Sequence, residues 1–281
     1  MSLSLFARAV QARTYPRLIW MIRHRTWLLQ ETVLPVLSVA ALAFMYRAMM
    51  PDDPEKAKAF IGVVILGAAM TTFWMNVLWS MGAHLYWERD GGNLELYIMS
   101  PAPMMSILMG MALGGMTTTL VRAITILTAG VLLFDVPFQP SSWWLLAFIF
   151  TLTMVALYGL GMMFASLFLM WGREAWHTVN LLQEPVYLLS GMNFPLAVLG
   201  KLAGNGLPAV ALVIPLAAGI DAMRQVLFQH TGRGIEGFLP VWTEIGILAV
   251  LGVVFVTLAI RCLKVLERKA KEDGKLTVKW Q

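Results

Sequence analysis

Long apolar stretches, separated by short polar connections, are the feature that most limits what this chain can fold into. About 20 helical residues are enough to cross the hydrocarbon core of a bilayer. Of the 281 residues, 59% are hydrophobic and only 13% are charged, whereas an ordinary soluble domain is about 25% charged. Because a soluble domain of this size could not cover so much apolar surface, we predict an all-α integral membrane protein with six transmembrane helices.

The chain divides into an interfacial segment, a membrane domain and a tail. We predict a cytoplasmic interfacial helix at 1–26, a transmembrane domain at 27–263 and a basic cytoplasmic tail at 264–281. The six predicted spans cover residues 27–50, 59–81, 104–134, 143–170, 179–192 and 244–263. Region 193–243, between spans five and six, holds apolar runs too short to cross, broken by glycine and proline, and this pattern favours re-entrant or interfacial segments.

Positive charge sets the expected orientation. The first 26 residues carry five arginines that alternate with apolar residues, which is typical of an amphipathic helix on the membrane surface. The tail is also rich in lysine and arginine, and basic residues mark the cytoplasmic side. We therefore expect both termini in the cytoplasm, an even number of spans and no nucleic-acid partner. We also expect a location in the cytoplasmic membrane of a prokaryote.

Motifs for catalysis by the chain itself are missing from the sequence. It has no glycine-rich phosphate loop, no His-Glu-x-x-His zinc motif and no Gly-x-Ser-x-Gly nucleophile elbow. Its one cysteine, Cys262, cannot form an intrachain disulfide or, alone, a metal site. We expect no catalytic, cofactor-binding or metal-binding residues, so energy for any transport must come from a partner or an ion gradient.

A charged segment between spans two and three, residues 83–101, is the most informative stretch. It reads Trp-Glu-Arg-Asp-Gly-Gly-Asn-Leu-Glu-Leu from Trp87, with Ser100-Pro101 a few residues on. This pattern predicts a short charged helix, a glycine break and an amphipathic piece that ends at proline. Such an element either docks into a soluble partner or is an ordinary solvated loop.

The segment resembles the coupling segment of ABC transporter permeases of the type-two export class, whose pattern is roughly Glu-Arg-Glu-x-Gly-Thr-Leu-Glu followed by Ser-Pro. The matching residues are Glu88, Arg89, Gly92, Leu94, Glu95, Ser100 and Pro101, while Asp90 and Asn93 replace Glu and Thr. Ser190-Gly191 with Phe194-Pro195 resembles a second family motif, and Pro215 with Asp221 and Arg224 resembles a third. The basic N-terminal helix before Pro35 fits the same family.

The resemblance implies a dimer of permeases, with a second or homologous copy, bound to two ABC ATPase subunits that hold ATP and Mg²⁺. It implies contact with the ATPase through Glu88, Arg89, Gly92 and Glu95, and through Arg173 and Glu174 in the link after span four. The expected function is export of a hydrophobic or amphipathic compound, drug-like or lipid. Export of a lipid-linked glycan by the same fold, an ion-coupled secondary transporter and a structural subunit are the alternatives.

A few residues inside the spans have two interpretations. Met70, Trp74 and Met75 on span two are candidates for a pathway or dimer seam, although such residues more often fill a core or line an interface. Arg122 lies within span three, where an unpaired charge costs about 2.5–3.5 kcal/mol. We expect it to reach the outer surface or to pair with an acid such as Asp135, with a role toward substrate as the alternative.

Overall fold

The computed structural model describes residues 3–82, 88, 91–102, 104–171, 174–228 and 237–273. All regular structure in these ranges is helical. The helices are α1 Leu3–Arg23, α2 Arg25–Met49, α3 Pro54–Met75, α4 Leu94–Met99, α5 Met104–Phe134, α6 Trp143–Trp171, α7 Glu174–Leu189, α8 Leu196–Ala203, α9 Gly206–Ala211, α10 Pro215–Phe228 and α11 Val241–Asp273. A π-helical segment, Asn76–Gly82, continues α3.

Within the described residues, five helices are long and apolar enough to cross a membrane, by length and composition. These spans are Arg25–Met49, Pro54–Trp79, Met104–Phe134, Trp143–Ser166 and Val241–Val265, and they coincide with predicted spans one, two, three, four and six. The predicted all-α membrane class is therefore confirmed. The predicted fifth span falls on α7, whose 16 residues are fewer than the about 20 needed to cross, so the count of six stays a prediction.

Helix α3 occupies the centre of the bundle. Its start is fixed by Asp53, whose side chain accepts a hydrogen bond from the Lys56 amide at 3.0 Å, and by Pro54 in the first turn. In the most apolar 18-residue stretch of this span 89% of the residues are buried, whereas in the corresponding stretch of α2 only 12% are buried. Helices α2, α5 and α10 all pack against α3, which is therefore shielded on most sides by the chain itself.

The other long helices surround α3. Helices α2 and α5 run in the same direction, because Glu31 pairs with Arg122 and, further along both helices, the Phe44 and Phe134 rings meet edge to face at 5.6 Å. Helix α11 packs along α6, where Gly159 leaves room for the side chain of Val256. Much of α2 and α11 stays exposed on the outside of the chain.

Three short helices, α8, α9 and α10, follow α7 where the sequence predicts re-entrant structure. They have 8, 6 and 14 residues, too few to cross a bilayer. Helix α10 is buried along almost its whole length against α3, α6 and α11. Whether these helices dip into the membrane stays a prediction, and residues 229–236 of the region lie outside the described residues.

Candidate functional site

The segment between α3 and α5 is built around a glycine turn. Gly92 has a φ of 76°, a left-handed conformation that glycine adopts without steric cost. The Asn93 amide donates a hydrogen bond of 2.8 Å to the carbonyl of Glu88, which closes the turn. Helix α4 then begins, and it ends at Ser100, whose extended backbone leads into Pro101.

An arginine from α1 holds this segment in place. Arg13 donates a hydrogen bond of 2.6 Å to the carboxylate of Glu88 and another to the hydroxyl of Tyr97 on α4. Its guanidinium also lies 4.6 Å from the centre of the Tyr97 ring. We refer to Arg13, Glu88 and Tyr97 as the clamp. The side chains of Arg13 and Glu88 are only 29% and 11% exposed, so the clamp is better shielded than a typical surface ion pair.

The protonation states of Glu88 and Tyr97 are fixed over the physiological pH range. Burial alone would raise the pKa of Glu88, but hydrogen bonds from Arg13, Asn93 and Tyr97 and the nearby positive charge together lower it below its ordinary value. Burial raises the pKa of Tyr97 to about 12. Glu88 is therefore ionised and can only accept hydrogen bonds. The Tyr97 phenol is neutral, so its hydroxyl accepts from Arg13 and donates to Glu88.

Two apolar side chains on α4 are left open beside the clamp. Leu96 and Met99 are 61% and 72% exposed. Residues three apart on a helix are neighbours on its surface, so these two form a small apolar patch, the α4 patch. A soluble protein could bury it by docking at this end of the bundle.

Helix α1 reaches the clamp because it packs closely on α5. Gly110 and Gly114 of α5 have the small-xxx-small spacing that allows two helices to approach. A Cβ at Gly110 would lie 2.8 Å from the carbonyl oxygen of Val10. The Thr14 hydroxyl donates to the carbonyl of Gly110 at 3.2 Å. The glycine pair thus serves contact within the chain and places Arg13 beside Glu88.

The predicted ATPase-coupling residues have different positions in the structure. Glu88 faces Arg13, and Gly92 forms the exposed turn. Arg89 and Arg173 lie outside the described residues. Glu95 and Glu174 belong to α4 and α7, where only their helical backbone is described. A role for these residues in ATPase contact stays a prediction.

Sequence reasoning missed Arg13 and the α4 patch. Arg13 stood among five basic residues that all looked like membrane-surface charges. Its partner Glu88 is 75 residues away, and no local pattern links the two. The spacing of Leu96 and Met99 was a usable signal, because an apolar pair on a short helix between charged turns suggests a surface for a partner.

The second and third family motifs meet at the opposite end of the bundle. Arg224 of α10 is 1% exposed. Its guanidinium donates hydrogen bonds to the carbonyls of Met192 at 2.9 Å, Phe194 at 3.3 Å and Val63 at 3.0 Å. One side chain therefore ties α10 to the loop after α7 and to the backbone of α3.

Further polar groups extend this cluster toward α11. Asp221, one turn before Arg224, accepts a hydrogen bond of 2.7 Å from the Phe238 amide. Gln225 donates to the carbonyl of Leu239 at 2.8 Å and to the Glu244 carboxyl at 2.9 Å. These buried groups are held within the chain, as buried polar groups generally are. They fix the position of the short helices against the long ones.

Residues predicted for a pathway or dimer seam lie at two places. Met70 and Trp74 are 3% and 1% exposed in the core of the chain, and Met75 is partly buried and touches the Tyr187 hydroxyl. Arg122 pairs with Glu31 of α2, so the expected pairing with an acid is confirmed, although Asp135, the acid given as the example, was wrong. Asp135 was chosen because it is near Arg122 in the sequence, whereas Glu31 comes near Arg122 only when α2 packs beside α5. A role for these residues in a pathway or seam stays a prediction.

The fold and the site together define a multi-pass helical membrane protein with a clamped segment and an exposed apolar patch at one end. Among the described residues, no group of three or more His, Cys, Asp or Glu side chains is placed to hold a metal ion. Residues 10–228 match the family described as ABC-2 type transporter. The chain belongs to this family and is the membrane permease component of an ABC transporter. A comparison with curated proteins gives no significant match.

Proposed function

We propose that this chain is the permease subunit of an ABC exporter that moves a hydrophobic or amphipathic compound, drug-like or lipid, out of the cytoplasm. It works with a second permease copy and with separate ATPase subunits, which bind ATP and Mg²⁺. The observation that carries this proposal is the clamp, because it presents an exposed apolar patch at a fixed position, as docking to a partner requires.

The roles within the segment follow from burial. Glu88 is the positioning residue, since its carboxylate is turned toward Arg13 and not outward. Leu96 and Met99 are the residues that enter the ATPase, since both are more than half exposed. The proposal also includes ATPase contacts by the charged residues Arg89, Glu95, Arg173 and Glu174, as the family resemblance implies.

The transport step is a rigid-body movement. ATP binding closes the ATPase pair and displaces the α4 patch together with the clamp. Because Arg13 belongs to α1 and α1 is packed on α5 through Gly110, the displacement reaches the membrane helices without a flexible link. The two permease copies then rock against each other and open a path at their interface.

The nature of the cargo is inferred from the charges of the described helices. Glu31 and Arg122 neutralise each other, Asp221 and Arg224 hold backbone groups, and Glu244 accepts a hydrogen bond from Gln225. Few fixed charges are therefore left for a small ion, and an ion-coupled secondary transporter would need such a site. The exposed faces of α2 and α11 are apolar and suit a cargo that partitions into lipid.

The test is co-purification from native membranes with single substitutions in the α4 patch. We expect an ATPase subunit to accompany the wild-type chain and Met99→Asp to weaken its retention. Burying a methionine is worth about 1.5–3 kcal/mol, so the affinity falls about 10- to 100-fold. Met49→Asp is the matched control and should leave retention unchanged. Met49 is about as exposed as Met99, but it lies at the end of α2 that is far from the α4 patch.

Transport assays in vesicles separate the alternatives. ATP-driven efflux that Met99→Asp abolishes supports the exporter, whereas a chain that purifies alone and follows a proton or sodium gradient is a secondary transporter. Equal loss of the ATPase in Met99→Asp and Met49→Asp would contradict docking at the α4 patch.

A further inference from the structure

An apolar groove runs between α1 and α5, on the flank of their contact. It has a volume of about 500 Å³, within the range of about 300–1,000 Å³ found for small-molecule sites. The residues that line it include Phe6, Ala7, Val10 and Leu18 from α1 and Met109 and Leu113 from α5. Met109 and Leu113 are also exposed, so the groove opens on the outside of the bundle.

The rim of the groove carries positive charge. Arg8, Gln11 and Tyr15 are three and seven residues apart, which places them on one face of α1. Gln11 and Tyr15 line the groove, and Arg8 is exposed beside them. Helix α1 contains four arginines and no acidic residue, so an anionic group at this rim meets no opposing charge on the helix.

We propose that the groove binds an anionic phospholipid, with one acyl chain in the groove and the phosphate at Arg8. The two parts of the site match the two parts of the ligand, since the walls are apolar and the rim is cationic. Lysines and arginines near a membrane surface attract anionic lipids in this manner. A second permease copy would not account for the positive charge of Arg8 at the rim, because the charges on its own α1 are also all positive.

The site has a consequence for coupling, which rests on the proposed function. Val10 lines the groove and also contacts Gly110, and Thr14 does both as well. A bound lipid therefore holds α1 against α5, one turn from Arg13. Because Arg13 holds Glu88, anionic lipid tightens the clamp and strengthens ATPase coupling.

The test measures lipid retention by the full-length permease, without an ATPase. The protein is reconstituted in phosphatidylcholine with phosphatidylglycerol, extracted in mild detergent and weighed by native mass spectrometry. We expect one phosphatidylglycerol to be retained in preference to phosphatidylcholine. Ala7→Trp fills the groove and abolishes retention, whereas Ala12→Trp, an exposed alanine of α1 outside the groove, leaves it intact.

A second pair of variants tests the headgroup contact without changing the volume of the groove. Arg8→Gln weakens the preference for phosphatidylglycerol about fivefold, whereas Arg23→Gln, an equal charge change at the far end of α1, does not. Equal effects of Ala7→Trp and Ala12→Trp, or no preference for the anionic lipid, overturn the proposal. Loss of dimer with unchanged lipid in Ala7→Trp also overturns it, because the groove is then a contact between copies. Since retention is read without ATPase, failure here leaves the exporter proposal standing.

Discussion

The contact between α3 and the loop after α7 gives a sharp prediction about Gly67. A Cβ at this position would overlap the carbonyl oxygen of Met192 and lie 2.8 Å from its carbon, where ordinary contact needs 3.4 Å or more. Gly67→Ala therefore forces the loop away from α3. We expect the hydrogen bond of 2.9 Å from Arg224 to the Met192 carbonyl to be lost in the process.

The size of the effect follows from these contacts. Losing a hydrogen bond to a charged group costs about 1.5–3 kcal/mol, and overpacking a core costs about 1–3 kcal/mol. Alanine favours the helix by up to about 1 kcal/mol over glycine. Gly67→Ala should therefore lower the free energy of unfolding by about 1.5–5 kcal/mol, and Tm should fall by at least about 3 °C.

The assay is thermal unfolding in nanodiscs, followed through the intrinsic fluorescence of the 11 tryptophans. Gly246→Ala in α11 is the matched control, because a Cβ there meets no atom within 4 Å, and its Tm should stay equal or rise. ATPase retention should survive Gly67→Ala, since the clamp is at the other end of α3. A Tm of Gly67→Ala equal to that of Gly246→Ala would refute the close approach of the loop.

Three further predictions concern charged groups. Arg224→Met should destabilise the chain by about 3–5 kcal/mol in the same thermal assay, and rescue by Arg224→Lys would argue against the three-carbonyl contact. Glu31→Gln leaves the charge of Arg122 without its partner and should lower the free energy of unfolding by about 2–4 kcal/mol. The double variant with Arg122→Gln should recover most of this stability. Additive losses in that double-mutant cycle would exclude the ion pair. The clamp should be insensitive to pH between about 5 and 8, because the pKa of Glu88 is lowered. The stabilising bond between Glu88 and Arg13 is then fully present above the ordinary carboxyl pKa, and it is lost only as the pH falls through the lowered pKa. ATPase retention measured across this range checks it, and a decline near neutral pH would assign control to another group.

The long helices could be predicted from the sequence because hydropathy and helix-breaking residues agree. Helix α5 begins at Met104 and ends at Phe134, as predicted, since Pro101 and the Asp135–Pro137 turn bound a continuous apolar run. The π-helical segment Asn76–Gly82 was not predicted. Its composition does not differ from that of an α-helical span, and its geometry depends on neighbours such as Tyr158.

The site was harder to predict because its contacts are remote in sequence. Family motifs identified the segment around Glu88 and the residues near Arg224, but not what each side chain touches. The contact of Glu88 with the ATPase stays a prediction, but its contact with Arg13 was not expected, since it arises only when α1 packs on α5. Which of several equivalent arginines forms the clamp is decided by helix packing, and the sequence pattern of α1 does not contain that information.

Helix α3 links the two ends of the molecule. Near the clamp, Asn76 donates a hydrogen bond of 2.8 Å to the hydroxyl of Tyr158 on α6. Thirteen residues earlier, Val63 accepts the bond from Arg224, a separation of about 20 Å along a helix. The helix between them is buried and closely packed, so it cannot bend without disturbing its neighbours. Displacement of the segment beside α3 must therefore either move the short helices at the far end or break the bonds of Arg224, and the stability of those bonds favours movement.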